Sequence, residues 1–170
     1  MSLGIKLVQA VQKETAMKRP LPLCAIVHGK SPGGKQGTAI TASVTLTDND
    51  RFSHLAEDVT IHVQGPKSKA QSPKVTAERF AARATYLTES LQFVEIDGGG
   101  TALLRSSPET MRAPRTPYFE ARVDDSAIAL KRYQPHPDKP GREAIPFCVT
   151  DEVLARLVDD AVAVLTPPRK

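Results

Sequence analysis

Tryptophan is absent from this chain, and five Phe and three Tyr are its only aromatics among 170 residues. A core without many rings has to be assembled from Val, Leu, Ile and Ala, the material of packed sheets and amphipathic helices. Cysteine is nearly absent too. Cys24 and Cys148 are too few for a disulfide framework and each falls in an apolar run, so the expectation is two reduced thiols buried in strands, in a cytoplasmic setting. No stretch approaches the roughly eighteen apolar residues of a membrane span, and the N-terminus lacks a signal-peptide apolar core. The expectation is therefore a chain with no membrane association.

Motifs that carry chemistry are also missing. There is no HExxH, CxxC or GxSxG, so neither a metal centre, a cofactor nor an activated nucleophile is expected. His54 and His62 with Asp58 form a weak candidate ligand set, and ordinary strand histidines explain them as well. The paired carboxylates Asp124-Asp125 and Asp159-Asp160 read as a turn and a solvated helix face.

What is present is alternation. Phe119, Ala121 and Val123 alternate with Tyr118, Glu120 and Arg122; a turn follows at Asp124-Asp125-Ser126, and Ile128 and Leu130 resume the pattern. Ile145, Phe147 and Val149 repeat it. Thr150 then suits a helix N-cap, with Asp151 and Glu152 in the first turn, where the helix dipole favours negative charge. The inward stripe is Val153 or Leu154, Leu157, Val158, Ala161, Val162 and Leu165, and Pro167-Pro168 closes it.

Taken in order, the pattern predicts helix 3–18, strands at about 23–28, 38–47 and 59–63, and a helix at about 74–87 opened by Ser72-Pro73. Strands at about 91–96, 101–105, 118–123, 127–133 and 144–149 follow, then helix 151–165. The segment 51–58 reads as loop or a short helical turn, and 106–117, with three Pro, as a surface connection. The expected fold is a single α+β domain spanning 1–170. It has an antiparallel sheet of about seven or eight strands in meander and hairpin blocks, with about three helices on one face.

The net charge of +4 is uneven. Residues 1–73 carry nine Lys or Arg against five Asp or Glu. Within them Gly29 to Gln36 is one residue from a phosphate-binding loop, but Gln36 stands where Ser or Thr must hold magnesium, and a strand rather than a helix follows. Two loops of like composition, 29–37 and 64–74, contain no acidic residue. In a meander they exit at one end of the sheet, which would gather Lys30, Lys35, Lys67, Lys69 and Lys74 on one rim able to meet an anionic partner. Arg105, Arg112, Arg115 and Arg122 form a second basic area interleaved with acids. Tyr118 and Tyr133 are the only aromatics on a predicted wet face, fewer than single-strand binders use, and read as a cross-strand pair.

Three functional readings follow. The first is a non-enzymatic interaction domain that self-associates and recognises a protein or peptide partner through an exposed sheet face or edge. The second is a nucleic-acid module using the lysine rim. The third is an enzyme acting on a small anionic substrate near Lys30, Lys35 and His28; a concave pocket holding His28 and His62 would favour it.

Overall fold

The computed structural model describes residues 1–31, 38–65, 71–106 and 116–166. Helix α1 (Leu3–Ala16) is followed by β1 (Leu23–Lys30), β2 (Ala39–Asn49) and β3 (His54–Gln64), then α2 (Pro73–Arg83). β4 (Leu91–Ile96) and β5 (Ala102–Ser106) come next, then β6 (Tyr118–Val123), β7 (Ala127–Pro135), β8 (Arg142–Ile145) and β9 (Phe147–Val149), and α3 (Asp151–Leu165) ends the series. All strand pairs are antiparallel, in the order β1-β2-β3-β7-β6-β5-β4, with β8 on β7 and β9 on β3. The fold is α+β.

Alternation explains the architecture. One register row, Ala25–Val44–Val59–Leu130–Ala121–Leu104, is buried from the edge strand β1 to β5. The three helices pack on this face: α1 over β1 and β2, α3 over β3, and α2 over β4 to β6. Each helix starts as its sequence dictates. The hydroxyls of Ser2, Ser72 and Thr150 accept from the N–H of Ile5, Val75 and Val153, satisfying donors that would otherwise be orphaned. Leu154, Leu157, Val158, Ala161 and Val164 form the buried stripe of α3. α1 and α3 approach closely at Gly4, whose N–H donates to Asp159 Oδ1 at 2.8 Å.

Several expectations are corrected. Cys24 and Cys148 are exposed, because each sits one position out of phase with the buried residues on either side, Leu23 and Ala25, or Phe147 and Val149. The segment 51–58 is not loop throughout: β3 begins at His54, since His54 and Ala56 face the core and pair with β9 before a register irregularity. The expected strand 144–149 is two strands. Pro146 separates a piece that follows β7 from one that follows β3, because proline cannot continue a hydrogen-bonded ladder. Helix α2 stops at Arg83, short of 87.

Candidate binding face and edge

The opposite sheet face carries no helix among the described residues, and its register rows run across the molecule. One row is Ile26–Ser43–Thr60–Ala129–Arg122–Leu103, and the next is Cys24–Thr45–Asp58–Lys131–Glu120–Arg105. The half built from β1, β2, β3 and β7 is therefore mostly small-chained. His28 and His62 flank Thr41 in a third row, and His28 Nδ1 lies 3.2 Å from Thr41 Oγ1.

The other half is dominated by one buried carboxylate. Glu120, its side chain 1% exposed, accepts hydrogen bonds from both Nη atoms of Arg142 and from Arg105 Nε at 3.0 Å. Arg142 also donates to the Tyr118 hydroxyl and lies 4.0 Å over the Tyr133 ring, while Arg105 lies 5.4 Å over Tyr118. The two tyrosines pair in register with ring centres 6.2 Å apart. Burial pushes the Glu120 carboxyl up, but the hydrogen bonds from Arg142 and Arg105 outweigh it and hold the group below the ordinary glutamate range. The arrangement neutralises a buried charge and covers ring faces on which a base would otherwise stack.

Among the described residues the two ends of the strand order, β4 and β1, differ. β4 carries a register shift between Phe93 and Glu95, its face is covered by α2, and Lys74 lies 5.1 Å over the Phe93 ring. β1 pairs without irregularity over eight residues, contains no proline, and has no charge before Lys30. Ser31 N donates to Thr38 O at 3.1 Å, which makes Ser31 and Thr38 a hydrogen-bonded pair. Alternation back along the ladder points Gly29, Val27, Ala25 and Leu23 at β2 and turns the backbone groups of Lys30, His28, Ile26 and Cys24 outward. Among the described residues β1 pairs with β2 alone. Natural edges are blunted by bulges, prolines or charges, and this one has none within its paired length before Lys30.

The predicted site residues separate. Lys30 and Gln64 end β1 and β3 in the same row, so both loops do leave at one end of the sheet. Lys35, Lys67 and Lys69 lie outside the described residues, as do Arg112 and Arg115. Lys74 opens α2 above β4, six strand spacings or roughly 29 Å from β1, and pairs weakly with Glu78 at 3.9 Å. The structure does not bring Lys74 to Lys30. Arg105 and Arg122 are paired with Glu120 and Asp97. His54 lies far from His62 on β3 and contacts Asp151 Oδ1 through Nε2 at 2.8 Å, tying β3 to the first turn of α3. No group of three His, Cys, Asp or Glu among the described residues is placed to hold a metal. A cleft of about 300 Å³ lies elsewhere, between Gln71-Ser72-Pro73, Gly99-Gly100 and Asp124-Asp125, without either histidine of the enzyme reading.

Sequence reasoning missed Arg142, which sits in a stretch of Pro and charge that reads as loop, and missed the unequal protection of the two edges. A proline-free, uncharged run from Leu23 to Gly29 was the available signal. No family model matches this chain, nor does any curated protein or solved structure.

Proposed function

We propose that this chain is a small non-enzymatic interaction domain that recognises a protein or peptide partner by adding an extended segment of it to β1. The observation that carries this reading is the unblunted β1 edge, with the backbone groups of Cys24, Ile26, His28 and Lys30 directed outward. An added strand gains main-chain hydrogen bonds there, and side-chain selectivity comes from alternate positions. Ile26, 54% exposed on the uncovered face beside the edge, offers an apolar contact to such a strand. Two exposed free cysteines suit a reducing, cytoplasmic setting.

The nucleic-acid reading has less support. Both tyrosine rings of the uncovered face already carry an arginine, and Lys74 stands at the far edge.

The test is selection of displayed random peptides on the wild-type domain, followed by binding to Ile26→Pro. Proline at this edge position removes an outward N–H and leaves the β1–β2 ladder intact. Recovered peptides should lose at least tenfold in affinity for Ile26→Pro, with its circular dichroism and melting unchanged. Peptides that bind both forms equally, or no recovered peptide, would reject the reading.

A further inference from the structure

The strand that β1 receives has a readable charge. Residues 1–31, which form α1, β1 and their link, hold five basic residues, Lys6, Lys13, Lys18, Arg19 and Lys30, and one acid, Glu14. Glu14 is already paired with Arg19 at 3.0 Å. Helical periodicity then decides where two of the lysines stand. Gly4 touches Ala155 of α3 and Gln12 donates to Asp151, so this side of α1 faces inward toward α3, while Leu3 rests on Gly29 of β1. At 100° per residue Lys6 and Lys13 fall on a common stripe about 150° away from the α3 side. They stand on the side of α1 turned away from α3, and α1 itself lies over the edge strand β1 and its neighbour β2; both are exposed and without a carboxylate partner among the described residues. Their Cα atoms are about 10 Å apart along the helix, between the roughly 7 and 14 Å that separate side chains two and four residues apart on one face of an extended chain.

From this we infer that the occupant of the β1 edge is an extended acidic polypeptide segment. Its backbone pairs with β1, its acidic side chains on one face reach Lys6 and Lys13, and its opposite face lies beside Ile26. The inference rests on the strand-addition reading above. The same charge argues against a second copy as occupant. Two β1 edges joined about a two-fold axis would bring Lys6 and Lys13 of one α1 toward their counterparts, and like charges at close range oppose association.

Three nine-residue peptides of one β-forming sequence test it, with Glu, Gln or Lys at three alternate positions. Fluorescence anisotropy is read at low and moderate salt on wild type, Ile26→Pro and the double variant Lys6→Glu/Lys13→Glu, with an oligo-dT of equal charge as competitor. The Glu peptide should bind at least tenfold tighter than the Gln peptide. It should weaken with salt, lose binding in Ile26→Pro, and yield its advantage to the Lys peptide in the double variant. Equal binding of all three peptides, still abolished by Ile26→Pro, overturns the acidic occupant and leaves strand addition standing. Binding insensitive to Ile26→Pro overturns both, and displacement by oligo-dT at equal charge points to a general anion surface instead. A dimer of the free wild-type protein that Ile26→Pro dissociates would show the second copy to be the occupant, and so overturn the inference as well.

Discussion

Glu120→Gln is expected to lower unfolding stability at neutral pH by about 2–3 kcal/mol. Removing one partner of a buried ion pair costs about 3–5 kcal/mol when the remaining charge stays buried and unpaired. Here the side chains left behind, Arg105 and Arg142, are 43% and 32% exposed, so water recovers part of their solvation and the figure is discounted accordingly. An amide also turns two N–H donors toward groups that can only donate. The effect has a pH signature. Because the folded carboxyl titrates below its unfolded value of about 4.3, its contribution is complete above that value and disappears as pH falls through the lower folded pKa. Urea melts of wild type and Glu120→Gln should therefore differ fully at pH 7 and converge as pH falls through the lowered folded pKa. A constant difference across that range would show that the carboxylate charge is not what holds the pair of arginines.

Gly4→Ala is expected to be at least as damaging, at about 3 kcal/mol. A Cβ at this position would stand 2.1 Å from the backbone oxygen of Ala155. No rotamer relieves contact with a main-chain atom, so α1 must move off α3 by more than 1 Å to restore a normal contact. That movement unpacks Leu7 and Val11, both fully buried, and strains the hydrogen bond from Gly4 N to Asp159. Overpacking costs about 1–3 kcal/mol and sometimes more, and a 2.1 Å contact with backbone belongs at the upper end, which outweighs the gain of up to about 1 kcal/mol that alanine brings to a helix. Ile5→Ala, next to it but exposed, should stay within about 0.5 kcal/mol. If Gly4→Ala melts with wild type, the close approach of α1 and α3 is wrong.

The two substitutions mark what the chain discloses before folding and what it does not. The caps Ser72 and Thr150, the alternation of β6 and β7, and the stripe of α3 are local, and they are legible because each rests on residues within one or two turns of each other. Three consecutive strands after α1 were legible for the same reason, and with them the common exit of β1 and β3. Non-local pairing was not. Nothing in the alternation of β7 says that it inserts beside β3, and only that insertion sends β4 to the far edge and carries Lys74 with it.

Phase accounts for Cys24, whereas Cys148 stands between Phe147 and Val149, whose alternation by itself turns it outward. A nearly continuous apolar run such as Leu23 to Val27 conceals which parity faces the core, and one residue decides whether a side chain is buried or exposed. At the candidate site the same ambiguity hid the exposure of Ile26. The Glu120 clamp was illegible because its three members come from β5, β6 and β8, and charges far apart in sequence carry no mark of their pairing.

The central claim is that β1 presents an open, regular backbone edge. Residue-resolved amide hydrogen exchange of the free protein tests it directly, since alternate amides along one strand should differ. Ala25, Val27 and Gly29, paired with β2, should exchange slowly, while Cys24, Ile26 and His28 exchange near the rate of unstructured peptide, and addition of the Glu peptide should slow the second set without changing the first. Uniform protection along β1 in the free protein would mean that the edge is already covered, and would contradict the account.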